Sequence, residues 1–335
     1  MRIKAFLTAL LALFPGFFMP SHEVFAKSTE SKGECVIELS SGRILYANSA
    51  EKPLPIASTT KILTAITVIE HSDDLQKSVT VPKAAEGIEG SSVYLKAGDV
   101  LTRESLLYGM MLRSGNDCAA TLAIDLSGDT KEFSLLMNQT AQKAGALKSN
   151  FVNPHGLHDE NHYSTAKDMC YITAYAMNNQ TFCDLFQAKK YQSWTTKNKL
   201  FHLYEPCIGG KTGYTTKSGR CLVSAAKKEN MTLLCAVINC PTTYERSIEL
   251  YEDAFSSYSK KEILKANERI DTSLGTGVVK QSYSYPLLKE EENMIRREVI
   301  PLKKPIKIGK NEEIIGRLEI LLANQLLFST NLYKL

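Results

Sequence analysis

Apolar positions 35–39 and 43–46 flank Ser40-Ser41-Gly42, which predicts an N-terminal hairpin. From Ile62 the period changes: Ile62, Leu63, Ile66 and Ile69 recur at helical spacing directly after Ser58-Thr59-Thr60-Lys61, so these four residues open a buried helix. Further helices are expected at about 103–113, 116–126, 130–146 and 165–179, with Asp129 and Glu132 spaced like the ends of a capping box. From Lys190 the pattern turns to strands, at 191–196, 207–215, 219–226 and 232–239, followed by a helix over about 243–257. Strands at both ends with helices between predict an α+β fold. One antiparallel sheet is completed by the N-terminal hairpin, a helical block lies beside it, and a cleft runs between the two. Residues 271–280 are rich in Gly, Ser and Thr, and the remainder mixes short apolar stretches with Lys/Glu clusters and Pro286, Pro301 and Pro305. This predicts a larger domain over 27–265 and a small β-rich domain over 271–335.

Composition refines that picture. At 335 residues and 44% hydrophobic, the chain is long enough for both units and too apolar to be disordered. Arg2 and Lys4, an apolar stretch over 5–19 and Val24-Phe25-Ala26 have the three regions of a secretory signal, expected over 1–26 with cleavage after Ala26. The alternative, a retained anchor, is opposed by Pro15-Gly16 and by the short span. No later segment approaches a spanning length, and the chain ends in Leu332-Tyr333-Lys334-Leu335 without an amphipathic tail helix. The expectation is an exported, extracytoplasmic protein, secreted or associated with the wall or membrane surface, with at most peripheral membrane contact. Loss of 1–26 removes Arg2, Lys4 and Glu23 and takes the net charge from +4 to +3, too mild to imply nucleic acid. The eight cysteines show no CxxC pair or metal-ligand spacing and mostly sit in apolar runs, so they read as packed thiols.

Three short motifs carry candidate chemistry: Ser58-Thr59-Thr60-Lys61, Ser114-Gly115-Asn116 and Lys211-Thr212-Gly213. Singly each is weak. S-x-x-K also occurs at Ser164, Ser224 and Ser257, S-x-N recurs at Ser329, and Lys217-Ser218-Gly219 mimics the third. Order separates them, because Ser58 alone among these four opens a helix and has both other motifs downstream. Lys211 follows Gly209-Gly210 on an apolar strand, whereas Lys217 lies in a turn.

The physical case for Ser58 as nucleophile starts from helix geometry. Residues i and i+3 share a face, so Lys61 can take the Ser58 hydroxyl proton. Burial and a second cation, Lys211, both disfavour its ammonium form. Positioned base catalysis of this kind is worth roughly 10²- to 10⁴-fold. A helix start leaves the Ser58 N–H free to stabilise developing negative charge, with the Tyr214 N–H as the second half of an oxyanion hole. Gly213 lets a substrate backbone lie along the strand edge. Lys211 and Thr212 offer a charge and a hydroxyl to a terminal carboxylate.

S-x-x-K with S-D-N and K-T-G marks penicillin-binding proteins and class A β-lactamases. The wider chain, over about 35–260, resembles the low-molecular-weight penicillin-binding proteins, the serine D-alanyl-D-alanine carboxypeptidases. The resemblance rests also on Gly90-Ser91-Ser92-Val93-Tyr94-Leu95, on Asn153-Pro154-His155-Gly156-Leu157 and on residues 162–168. It implies that Ser58 forms the acyl-enzyme, Lys61 is the base and Ser114 relays protons. Asn116 binds the substrate amide or orients Lys61, and Lys211 and Thr212 hold the carboxylate. It further implies peptidoglycan stem peptides as substrate, β-lactams as covalent inhibitors, and no cofactor or metal. A β-lactamase needs a deacylating glutamate in an E-x-x-L-N setting, which 150–170 lacks, Glu160 being the nearest carboxylate. A non-catalytic wall-binding or penicillin-sensing module is opposed by the complete motifs. A zinc peptidase would draw on His155, His158 and His162, but these lie in a Pro/Gly loop without H-E-x-x-H.

Overall fold

The computed structural model describes residues 30–308 and 312–335, so the expected signal segment lies outside the described residues. The first strands, β1 (Gly33–Glu38) and β2 (Ile44–Asn48), pair antiparallel around the Ser40-Ser41-Gly42 turn. A single 3-10 turn (Ala57–Thr60) leads into α1 (Lys61–His71), so Ser58 sits one turn ahead of the α-helix proper. A small pair, β3 (Ser78–Thr80) with β4 (Val100–Thr102), precedes α2 (Arg103–Arg113), α3 (Asn116–Ser127) and α4 (Thr130–Lys143). Asp129 caps α4 by accepting the Glu132 N–H at 2.7 Å. The helix ends at Lys143, short of the expected 146, because Gly145 takes the left-handed region (φ 80°).

Next come α5 (Ala166–Ala176) and α6 (Gln180–Gln187). The expected helix over 165–179 is thus shorter, and Asn179 instead caps a helix that the sequence pattern did not mark. The expected strand at 191–196 is a minimal hairpin, β5 (Lys190–Tyr191) and β6 (Trp194–Thr195), separate from the main sheet. Its turn bends at Gln192 (φ 50°), Tyr191 pairs with Trp194, and the Tyr191 ring stacks on Tyr108 at 4.0 Å. After the short α7 (Leu200–Leu203) come β7 (Cys207–Thr215), β8 (Gly219–Lys228), β9 (Met231–Ile238) and α8 (Thr243–Ser257).

The main sheet runs β2-β1-β9-β8-β7, with every adjacent pair antiparallel. Its strands are apolar on both faces because both are covered. In β9, Leu234, Ala236 and Ile238 pack toward the helical block, while Leu233, Cys235 and Val237 pack toward α8. Helix α1 is the centre of the block: Ile62, Leu63, Ala65, Ile66 and Val68 are all buried, each large side chain contributing about 1.5–3 kcal/mol. All eight cysteines are free thiols, seven of them buried.

Beyond α8 the chain is β-rich: β10 (Tyr258–Leu264), β11 (Arg269–Thr272), β12 (Gly275–Val278), β13 (Tyr283–Leu288), β14 (Ile295–Ile308), β15 (Glu312–Leu322) and β16 (Gln325–Lys334). Strand β10 starts directly at the end of α8 and pairs with β13, and the others form a sheet in the order β11-β12-β16-β15-β14. The β-rich region therefore begins at Tyr258, ahead of residue 271, and has its own apolar centre around Leu264, Ile315, Leu318 and Leu332. Residues 271–280, rich in Gly, Ser and Thr, contribute to the hairpin of β11 and β12.

Candidate active site

Strand β7 is the open edge of the main sheet, and the turn that carries Ser58 packs against it. A Cβ on Gly213 would lie 3.0 Å from the Ser58 nitrogen and 2.9 Å from the Ile56 carbonyl oxygen, so glycine is what permits this approach. On the other side, a Cβ on Gly156 would lie 2.0 Å from the Ala57 carbonyl oxygen. Between them Ala57 is held at φ 48°, a left-handed conformation that costs a non-glycine residue about 1–2 kcal/mol.

Lys61 Nζ is 3.0 Å from Ser58 Oγ, 2.7 Å from Asn116 Oδ1 and 2.6 Å from the His155 carbonyl oxygen. A neutral amine here gives its two protons to the two firm acceptors, Asn116 and His155. Its lone pair is then directed at the Ser58 hydroxyl, as a general base requires. Burial drives Lys61 well below the ordinary lysine range, and the Lys211 ammonium adds to the effect. Asn116 is itself fixed, since its side-chain amide donates to the Glu89 carbonyl at 2.5 Å and its backbone N–H to the Ser91 carbonyl at 2.7 Å.

Ser114 occupies the corner between α2 and α3 in the left-handed region (φ 63°), which turns its hydroxyl toward β7. Lys211 Nζ donates to Ser114 Oγ at 3.0 Å and to the Thr212 carbonyl at 2.9 Å. Burial, with the Lys197 ammonium second, lowers Lys211 to about 7. Thr212 is half-buried, and Tyr214 is 67% exposed at the end of the same edge strand. The structure thus bonds Ser58 and Asn116 to Lys61 in one group and Ser114 to Lys211 in a second, with Gly213 against the serine turn and the Lys211 charge near enough to act on Lys61.

The other S-x-x-K copies are spent on structure. Ser164 bonds Ser149 at 2.8 Å while Lys167 pairs with Glu51. Ser224 meets the Tyr251 hydroxyl at 2.9 Å in the core, and Ser257 ends α8 with Lys260 on Glu38. In a further copy after β2, Ser49 and Lys52 are both exposed.

Several parts of the site escaped sequence reasoning. The His155 carbonyl is a backbone group and leaves no side-chain signal. Asp117 is buried and accepts from Ser92 Oγ (2.5 Å) and from the Val93 and Leu95 N–H groups, which pins the segment beside Asn116. Lys197, exposed at the mouth, reaches Ser91 Oγ at 3.3 Å and bears electrostatically on both Lys61 and Lys211. Of the loop histidines, His158 is exposed, and the Nδ1 atoms of His155 and His162 accept from the Leu157 and Val152 N–H groups. Among the described residues no three His, Cys, Asp or Glu side chains gather to hold a metal ion.

Comparison with known proteins shows the family of the chain. A family model described as D-alanyl-D-alanine carboxypeptidase matches residues 21–242. The chain is 31% identical over 258 residues to D-alanyl-D-alanine carboxypeptidase DacF of Bacillus subtilis, covering 72% of this chain and 66% of that relative. It is 30% identical over 255 residues to the D-alanyl-D-alanine carboxypeptidase of Streptomyces sp. strain K15, covering 69% of this chain and 88% of the relative. Among solved structures, penicillin binding protein 5 from Haemophilus influenzae shares the fold with a TM-score of 0.78 at 24% identity, over 92% of this chain and 97% of that one. The Streptomyces K15 DD-transpeptidase superposes with a TM-score of 0.65 at 29% identity, over 69% of this chain and 98% of that one. With the motif residues clustered and the family model spanning most of the catalytic region, the chain belongs to the D-alanyl-D-alanine carboxypeptidase family.

Proposed function

We propose that this chain removes the terminal D-alanine from peptidoglycan stem pentapeptides through an acyl-enzyme on Ser58, and that penicillins acylate the same serine. The observation that carries this reading is the Lys61 amine, fully buried and bonded to Ser58 Oγ, Asn116 Oδ1 and the His155 carbonyl. Lys61 takes the Ser58 proton as Oγ attacks the scissile carbonyl. The Ser58 N–H and the Tyr214 N–H face the oxyanion. No acceptor pairs with the Ser58 N–H among the described residues. Ser114 gives its hydroxyl proton to the departing D-alanine nitrogen and takes in return the proton held by Lys61, which leaves Lys61 neutral, while Lys211 stays charged and with Thr212 receives the carboxylate. Water then hydrolyses the ester with Lys61 again as base. An amine in place of water would give transpeptidation from the same intermediate.

No carboxylate hydrogen-bonds Ser58 or Lys61 among the described residues, and Glu160 is exposed, which speaks against a class A-like β-lactamase. We place the protein's action outside the cytoplasm, a reading supported by the composition of residues 1–26. Incubation of the purified protein with a muropeptide ending in D-Ala-D-Ala should release one D-alanine, and Ser58→Ala should abolish that release. Release undiminished in the variant refutes the assignment. Fast turnover of a chromogenic cephalosporin without D-alanine release favours the β-lactamase.

A further inference from the structure

We propose that His162 is a positioning residue for the nucleophile, acting through Thr60 to hold the strained Ala57 peptide that presents Ser58. The inference rests on the functional reading above and extends it to a side chain that touches neither the substrate nor the reacting atoms.

The hydrogen-bond directions follow from which groups can donate. The Val152 N–H donates to His162 Nδ1 at 3.2 Å, so the ring proton resides on Nε2. Nε2 is 2.8 Å from Thr60 Oγ1 and therefore donates to it. That hydroxyl has one proton, which goes to the Ala57 carbonyl at 2.8 Å. The result is a one-way chain from Val152 N–H through His162 and Thr60 to the peptide immediately before Ser58. His162 and Thr60 are both buried, and the edge of the ring meets Phe151 in a T-shaped contact at 5.5 Å. Burial pushes the ring down to about 4, which keeps it neutral and its tautomer fixed at neutral pH.

The chain has a mechanical consequence. Ala57 is in the left-handed region, and its carbonyl is confined by the bare Cα of Gly156 on one side and by the Thr60 hydroxyl on another. Such strain persists only where the surroundings hold it. Through Val152, His162 also grips the segment whose His155 carbonyl orients Lys61. One buried ring thus links the two halves of the reacting pair, the serine turn and the base-orienting loop. Thr60 alone could still bond Ala57. Without an incoming donor, however, its hydroxyl would be free to rotate and its acceptor lone pair would be left unmet in the core.

The test separates positioning from packing. The acylation rate constant and the preceding dissociation constant are measured with a fluorescent penicillin, alongside thermal unfolding, for His162→Leu, His162→Gln, Thr60→Val and His162→Leu/Thr60→Val. Leucine fills the space without donating, and glutamine restores a donor toward Thr60. His162→Leu is expected to slow acylation about 10- to 100-fold with binding changed less than about twofold, as for a misplaced reacting group. Glutamine is expected to recover the rate to within about threefold. Thr60→Val should match leucine, and the double variant should be no slower than either single one. Wild-type acylation by His162→Leu, a glutamine variant as slow as leucine, or a loss confined to binding would each overturn the proposal. Should His162→Leu fail to fold, Thr60→Val decides by the same criteria. A wild-type protein that is not acylated at all refutes the functional reading instead.

Discussion

The proposed mechanism gives opposite duties to the two buried lysines of this site. Lys61 has to be neutral to remove a proton, whereas Lys211 has to be charged to receive a carboxylate. Burial and Lys211 hold Lys61 well below the lysine range, while burial and Lys197 leave Lys211 at about 7. In the free enzyme Lys211 is charged below about pH 7 and loses its proton as pH rises through that value, so kcat/KM should fall on the alkaline side. A bound carboxylate favours the charged form, so kcat should persist to higher pH. Lys211→Arg stays protonated and should remove the alkaline limb at some cost in KM, because the guanidinium fork has a different shape. Rate profiles between pH of about 6 and 9 check both expectations. A kcat/KM that stays flat across that window for the wild type would contradict the division of roles.

At the scale of elements, the site is an agreement between one edge strand, one 3-10 turn and one glycine-containing loop. Gly156 has φ 83°, and a Cβ there would lie 2.0 Å from the Ala57 carbonyl oxygen. Gly156→Ala should therefore displace the turn that carries Ser58. A loss of about 10²-fold in acylation rate is expected, with a destabilisation on the order of 1–3 kcal/mol. Stopped-flow acylation and denaturant melts measure the two separately, and retention of the wild-type rate would show that the loop yields instead. The same feature explains what the sequence made legible. The motif lysines and serines, the alternation of 207–215 and the buried period of α1 all express themselves in side-chain type. The left-handed Ala57, the His155 carbonyl and the pinning of 92–95 by Asp117 are backbone events, and alanine or a carbonyl carries no pattern to read. Helix α6 was hidden for another reason: it is short, and its buried Phe182, Leu185 and Phe186 are too few to establish a period.

For the whole molecule, the question is whether the β-rich region serves the cleft or only adjoins it. No linker separates them, since β10 begins where α8 ends. Arg43, in the turn after β1, donates to both Glu291 carboxylate oxygens at 2.8 and 2.6 Å and to the Pro286 carbonyl at 2.6 Å. Its guanidinium lies 5.1 Å from the ring centres of both Tyr258 and Tyr285. Nearby, Lys260 bonds Glu38 at 2.9 Å. Burial alone would raise the Glu38 carboxyl, but Lys260 and the Ser41 hydroxyl and amide outweigh it and leave the carboxyl below its usual 4.5. A carboxyl lowered on folding contributes stability that is full above that usual value and is lost as pH falls through the lowered one. The junction should therefore loosen in acid and not in mild alkali. Arg43→Ala leaves the Glu291 carboxylate buried without its main partner, a change of the kind that costs about 3–5 kcal/mol, and pairing it with Glu291→Gln should recover part of that. The cluster of Ser58, Lys61, Ser114, Asn116 and Lys211 draws on none of these residues. Arg43→Ala should thus open 258–335 to limited proteolysis at neutral pH while kcat/KM on a small D-Ala-D-Ala peptide stays within about twofold. Parallel loss of activity and protease resistance would instead make the β-rich region part of what holds the cleft in shape.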